Sequence, residues 1–254
     1  MLRSYPIALA LLSACFFSAC TKKGNTGPAG PTGPAGAPGP SYTGIVIGHV
    51  SLYDQYGSRQ FTGIGNNVQV VLKGGAYTYT DSSGLFLFAN VATGNYYLKA
   101  TAPGYAATRI ADFAFVKDSL YKDIKLSARP VFNIKTFDAT RVPGSTNITL
   151  TLTVDADSRT RNCIVFVSSQ PGVSGQPGSY VLAYTKAIGV NSTMVNISVP
   201  AADLNNAGIF FGQPVYFAAC SYVVNDMSLY EDEATGMNVY NAVGVPIVDS
   251  ALCP

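Results

Sequence analysis

From Tyr42 onward, apolar side chains recur at every second position in short runs, and helix-period stretches are almost absent. Successive side chains of an extended chain point to opposite sides, so this alternation fits strands with one buried and one solvated face. The runs Ile45-Val46-Ile47-Gly48-His49-Val50-Ser51-Leu52-Tyr53, Val68-Gln69-Val70-Val71-Leu72, Leu85-Phe86-Leu87-Phe88, Tyr96-Tyr97-Leu98-Lys99-Ala100 and Asp123-Ile124-Lys125-Leu126 are β-branched or aromatic and bounded by Gly, Asn and Asp. Thr80-Asp81-Ser82-Ser83-Gly84 offers side chains that bond their own backbone and a glycine for positive φ, which suits a tight connection between antiparallel strands. After Ser127-Ala128-Arg129-Pro130 the pattern restarts. Val131 to Ile134, Ile148 to Val154, Ile164 to Val167, Tyr180 to Leu182, Met194 to Val199 and Val215 to Ala219 read as six further strands, with a seventh near Val243 to Val248. Pro200-Ala201-Ala202-Asp203-Leu204 reads as one helical turn between strands. Seven strands in about 120 residues suit a sandwich. The expectation is an all-β body of two antiparallel β-sandwiches in tandem, over residues 42–128 and 129–254.

The first forty-one residues are of another kind. Arg3, an apolar run from Tyr5 to about Leu12, and small residues before cysteine follow the order of a secretory signal. The run is shorter than the roughly 20 apolar residues a lasting transmembrane helix needs. Phe17-Ser18-Ala19-Cys20 followed by Thr21-Lys22-Lys23 resembles the cleavage region of a bacterial lipoprotein precursor, with residues 1–19 as signal peptide. The resemblance implies that Cys20 receives lipid. Leu12-Ser13-Ala14-Cys15 fits the cleavage box better but leaves a very short leader, so Cys15 is the alternative. Residues 20–41 then form a lipid-anchored linker. From Gly24 it reads Gly-Asn-Thr, Gly-Pro-Ala, Gly-Pro-Thr, Gly-Pro-Ala, Gly-Ala-Pro and Gly-Pro-Ser, six strict collagen-like triplets. Glycine at every third place beside proline is the composition of a polyproline strand that can enter a triple helix. Two readings stand, a stiff single-chain spacer and a homotrimer.

Composition narrows the partners. Charged residues make up 12% of the chain and the formal net charge is +2, against about 25% charged in an ordinary soluble domain. No basic run exceeds Lys22-Lys23, so no broad field draws nucleic acid, and none is expected as a partner.

Gly48-x-Val50, Asp54-x-x-Gly57, Val68-x-Val70 with Gly74, Thr80-Asp81-x-x-Gly84-x-Phe86, Gly94-x-Tyr96-x-Leu98 and Pro103-Gly104-Tyr105 resemble the carboxypeptidase regulatory-like domain, a transthyretin-like sandwich. The chain departs from that pattern at Gly57-Ser58-Arg59-Gln60-Phe61, where the family carries Gly-x-Pro-Leu. The resemblance implies a non-catalytic accessory module of cell-envelope proteins over 42–128. The strand order of 129–254 is similar to a fibronectin type III-like domain, although the chain has no Trp.

Five cysteines are present. With Cys15 in the leader and Cys20 lipidated, Cys163, Cys220 and Cys253 allow one disulfide at most. Cys163 with Cys220 is the expected pair, closing about 57 residues and stabilising by roughly 4 kcal/mol in the chain-entropy model; buried free thiols are the other outcome. The catalytic inventory is thin. His49 is the single histidine and lies in a strand with alternation that turns it to solvent. Gly172-Val173-Ser174-Gly175-Gln176 lacks the last glycine of a nucleophile elbow. Glu231-Asp232-Glu233 is consecutive, and neither it nor Asp155 with Asp157 has the spaced oxygen ligands of a calcium site. No catalytic residue, metal or cofactor is expected. Sixteen tyrosines remain. Tyr77, Tyr79, Tyr96, Tyr97 and Tyr105 cluster in the first sandwich as candidate ligand-binding aromatics, against the plainer reading of core and turn packing.

These features lead to a non-enzymatic, outer-membrane lipid-anchored protein on the periplasmic face or cell surface. It would display sandwich modules on a collagen-like stalk and bind an envelope or extracellular protein. The alternative is a carbohydrate-binding accessory lipoprotein that takes a glycan.

Overall fold

The alternating run that opens the body forms β1 (Thr43–Tyr53), with Val46, Gly48, Val50 and Leu52 turned inward. In the computed structural model, residues 42–60, 68–116 and 118–254 are described, together with Gly27 and Gly30. The leader, the lipidation candidates Cys15 and Cys20 and most of the collagen-like triplets lie outside the described residues. The chain divides into Met1–Pro40 and Ser41–Pro254, and all the described strands belong to the second unit.

Within it the first eight companions of β1 are β2 (Arg59–Gln60), β3 (Gln69–Leu72), β4 (Tyr77–Tyr79), β5 (Leu85–Ala92), β6 (Gly94–Thr101), β7 (Thr108–Phe115), β8 (Ser119–Tyr121) and β9 (Ile124–Ser127). One sheet is built around β1. On one side it pairs antiparallel with β5 and then β2; on the other it pairs parallel with β8 and then β9. Those parallel pairs depart from the antiparallel expectation. The chain traverses the second sheet before returning, so β8 and β9 re-enter in the direction of β1, and alternation carries no information about direction. The second sheet has the order β4-β3-β6-β7, antiparallel throughout. Between the sheets lie Val46, Val50, Val70, Phe86, Leu98, Ala100, Phe115, Ile124 and Leu126.

The turn from β4 to β5 forms as its residues suggest. The Asp81 carboxylate accepts from the Ser83 N–H at 2.8 Å, the Ser83 hydroxyl at 2.6 Å and the Leu85 N–H at 2.9 Å, while Gly84 takes φ +90. The Ser83 hydroxyl, followed by the Leu85 N–H, holds the Asp81 carboxyl below its usual pKa.

The remaining strands are β10 (Ile134–Arg141), β11 (Asn147–Val154), β12 (Arg161–Ser168), β13 (Leu182–Ile188), β14 (Met194–Pro200), β15 (Pro214–Tyr222), β16 (Tyr230–Asp232), β17 (Met237–Val239) and β18 (Ile247–Leu252). Sheets β10-β11-β14 and β13-β12-β15-β18 face each other across Ile148, Leu150, Leu152, Val165, Val167, Val195, Ile197 and Phe217. The helical turn is α1 (Ala201–Asn206), entered through Pro200 at φ −67 and anchored by buried Leu204. Strand β12 is buried on both faces. Its other face joins a separate cluster in which Phe166 packs against Tyr180 and Tyr240 at centroid distances of 5.4 and 5.3 Å. Burial on two sides explains the unbroken apolar run Ile164-Val165-Phe166-Val167.

A polar seam joins the two cores. Buried Ser127 donates its N–H to Ser228 Oγ at 2.7 Å, and Ser127 Oγ accepts from the Met227 N–H at 2.8 Å. Thr108 Oγ1 donates to Ser228 O at 3.1 Å, and the Val224 N–H donates to Gln55 O at 2.9 Å. Among the described residues no helix is long and apolar enough to cross a membrane.

Candidate binding face

Period two sorts the β4-β3-β6-β7 sheet into an inner set, Val70, Leu72, Leu98 and Ala100, and an outer set. Register then arranges the outer set as a grid. Gln69 stands between Tyr79 and Thr101, and Val71 between Tyr77 and Lys99, with Arg109 beyond Lys99. Tyr77 is 62% exposed and Tyr79 52%, because β4 is the edge strand and nothing described stacks on its outer face. Their rings stand edge to face, 6.0 Å apart at 84°.

The far end of the face is clasped by the β16–β17 hairpin. Arg109 Nη2 reaches Asp112 Oδ1 and Glu233 Oε2, each at 3.2 Å, and the Asp112 N–H donates to Glu233 Oε1 at 3.1 Å. The guanidinium lies 4.4 Å from the centroid of the Tyr97 ring. The Asp112 N–H first, and the Arg109 charge after it, hold the Glu233 carboxyl below its usual pKa. A cleft of about 410 Å³ opens here, lined by Arg109, Ala111, Tyr230, Glu231 and Glu233.

The structure divides the five candidate tyrosines. Tyr77, Tyr79 and Tyr97 share the outer face. Tyr96 points the other way, half-buried against the core, with its hydroxyl donating to Ala92 O at 3.0 Å. Tyr105 is also half-buried there, and burial, then the Asp54 charge, raise its phenol pKa. Arg109 was not among the sequence candidates and Glu233 was read only within a consecutive acidic run, since 124 positions separate them and only the packing of the hairpin against β7 brings them together.

The expected Cys163–Cys220 disulfide is corrected. All three cysteines of the body are free and buried. Cys163 faces Ser221 and Cys220 faces Ile164 across the β12–β15 ladder, so the sulfurs point to opposite faces of one sheet. Cys163 enters the core between the two sheets and Cys220 the aromatic cluster behind. Burial raises their thiol pKa values to about 11 and about 12, which leaves them unreactive.

His49 lies half-buried on the outer face of β1, its ring Nε2 donating to the main-chain oxygen of Ser83. A shallow polar cleft of about 310 Å³ adjoins it, with Ser51, Tyr53, Tyr121, Asp123 and Lys125 among its lining. Ser174 bonds Ser179 within a loop at 2.8 Å and sits on no strand-to-helix turn. Asp155 pairs with Lys135, and Asp157 accepts from the Tyr56 hydroxyl at 3.1 Å and the Arg159 N–H at 2.8 Å. Among the described residues no three His, Cys, Asp or Glu side chains gather as a metal site would require.

No protein-family model matches the chain, and no curated protein matches it. Among solved structures it is similar to a protein from Bacteroides uniformis described as a candidate carbohydrate-binding protein, at 15% identity over 83% of this chain and 100% of that one, with a TM-score of 0.30. A DUF3823 family protein from Bacteroides uniformis matches at 14% identity over 84% of this chain and 100% of that chain, TM-score 0.31. The major pilin subunit BcpA of Bacillus cereus matches at 11% identity over 82% of this chain and 67% of its own, TM-score 0.28.

Proposed function

We propose that this chain is a non-enzymatic, lipid-anchored protein of the cell envelope that displays β-sandwich modules on a stiff collagen-like stalk and binds a protein through the tyrosine-bearing edge of its first sandwich. The exposure of Tyr77 and Tyr79 on an edge strand carries this reading. Two aromatic rings left in water beside a sheet edge supply contact area and hydroxyls at low entropic cost, the composition of binding hot spots. Their perpendicular setting, 84° between ring planes, presents no continuous flat platform for consecutive sugar rings. That geometry favours a protein surface over a polysaccharide.

The carbohydrate reading keeps one supporting observation. Gln69, Lys99 and Thr101 stand on the same face as the rings and would supply hydrogen bonds around a single stacked sugar.

One experiment separates the two. The full-length protein and a Tyr77→Ala/Tyr79→Ala variant are immobilised and exposed in parallel to detergent-solubilised envelope proteins and to a glycan array. A protein is expected to be retained by the wild type and lost from the variant, with affinity reduced about 30-fold for each 2 kcal/mol of aromatic anchor removed. Glycan binding that disappears in the variant would replace the protein reading with the carbohydrate one. Binding of either kind that ignores the double substitution would overturn the face.

A further inference from the structure

The ladder bonds of β4 run to one side only. The Thr80 N–H donates to Val68 O at 3.0 Å and the Leu72 N–H to Ala76 O at 2.8 Å, so the even-numbered residues of β4 bond to β3. Tyr77 and Tyr79, opposite Val71 and Gln69, are therefore non-hydrogen-bonded positions, and their N–H and C=O groups point away from the sheet. The Lys73 N–H donates to Tyr97 O at 3.0 Å, which places the odd-numbered bonds of β3 on β6 and agrees with this parity. Among the described residues no hydrogen bond satisfies the four outward groups of Tyr77 and Tyr79.

Apart from being short, this edge lacks the usual protection. Residues 74–80 carry no charge and no proline, and the β3–β4 register has no bulge. Two other edges are tied down. β7 is held against the hairpin through Arg109, Asp112 and Glu233, and β10 is tied to β18 where the Ala139 N–H donates to Asp249 Oδ2 at 2.8 Å.

The edge is also complementary to itself. Tyr77-Thr78-Tyr79 reads the same in both directions, so antiparallel pairing centred on Thr78 sets Tyr77 of each copy opposite Tyr79 of the other. All four outward groups of each copy then find partners, and the four rings line one face. Lys73 lies before the uncharged run and Asp81 after it. Antiparallel pairing sets these opposite charges near one another at both ends, whereas parallel pairing would set like beside like. We propose that β4 pairs with β4 of a second copy across a two-fold axis, joining two four-stranded sheets into one of eight. The interface is isologous and closes on itself.

Thr78 meets its counterpart at the axis as a non-hydrogen-bonded pair, for which Cα atoms lie about 4.5 Å apart, within the reach of a disulfide. Full-length Thr78→Cys protein, air-oxidised and digested with trypsin, is expected to yield two copies of the Gly74–Lys99 peptide linked through residue 78, identified by mass spectrometry. Tyr77→Pro removes an outward N–H and spares the β3–β4 bonds, a change tolerated on an edge strand. It is expected to lower the dimer association constant at least tenfold in sedimentation equilibrium while far-UV circular dichroism stays unchanged. If that variant misfolds, Tyr79→Lys supplies the same measurement. Folded Thr78→Cys protein with no 78-to-78 link, or association indifferent to Tyr77→Pro and Tyr79→Lys as a stalk-driven trimer would be, overturns the proposal. No ligand enters these readouts, so their outcome is independent of the envelope-binding test.

Discussion

Gly48 shows how one residue fixes the joint between two returning segments. A Cβ built there would stand 1.8 Å from the main-chain oxygen of Lys122 and 2.7 Å from Cζ of Phe86. The oxygen belongs to the chain between β8 and β9, and the Lys122 N–H is committed to Ile47 O at 2.9 Å, so it has no cheap way to move. Overpacking of this kind costs about 1–3 kcal/mol, occasionally more, and Gly48→Ala is expected near the top of that range, about 3 kcal/mol, read from the urea midpoint at constant m-value. The glycine was legible as part of a family-like motif, but its cause was not, because β8 lay among the strands that alternation did not reveal. Cysteine pairing was illegible for a related reason. Strand membership of Cys163 and Cys220 could be read from apolar runs, whereas the faces they occupy depend on register between β12 and β15, and a shift of one residue inverts every side chain. Tyr77 and Tyr79 stood out as aromatics, yet Ala76 to Thr80 did not read as a strand, so their place on an open edge emerged only from the pairing.

Between elements, the loop from Val223 to Leu229 holds the two cores together with a half-buried acid. Asp226 Oδ1 accepts from the Ser228 N–H at 2.8 Å and Oδ2 from the Tyr222 hydroxyl at 3.3 Å. Burial outweighs these bonds and raises the Asp226 pKa. The folded state therefore binds more protons than the unfolded state between the ordinary carboxyl value and the raised one, and this residue makes stability fall as pH rises through that window. Asp226→Asn removes the charge and keeps an oxygen for the Ser228 N–H. The variant is expected to melt higher than the wild type at pH 7, by about 2–4 °C for each kcal/mol of burial cost relieved, with the gap shrinking toward pH 4. Asp81, Asp157 and Glu233, all lowered, act in the opposite sense but equally in both proteins, so they cancel in the comparison. A gap of constant size in paired thermal melts would exclude titration of Asp226 as the cause. Strands with strong alternation were readable here, including β11 and β14. The β16–β17 hairpin was not, because three-residue strands rich in polar side chains carry no periodic signal and are held by tertiary partners such as Arg109.

At the scale of the whole molecule, the proposed attachment to a membrane rests on lipid at the amino-terminal segment. Acyl chains bury at about 0.8 kcal/mol per methylene; one chain detaches readily, whereas several on one cysteine hold durably. In the proposed stalk, the six triplets from Gly24 to Ser41 would span roughly 55 Å at about 3.1 Å per residue of polyproline conformation. A stalk of that length would carry a sandwich clear of the lipid headgroups and would leave the β4 edge accessible to a neighbouring copy on the same surface, where confinement raises effective concentration. The proposed anchor and edge would thus reinforce each other, since a pairing of only a few main-chain bonds is weak in dilute solution and stronger in a crowded plane. Cys20→Ala is expected to shift the protein from the membrane pellet to the soluble fraction, and to reduce Thr78→Cys cross-linking in cells at equal expression. Retention in the pellet with loss on Cys15→Ala would move the lipid to Cys15, and retention in the Cys15→Ala/Cys20→Ala double variant would refute lipid anchoring altogether.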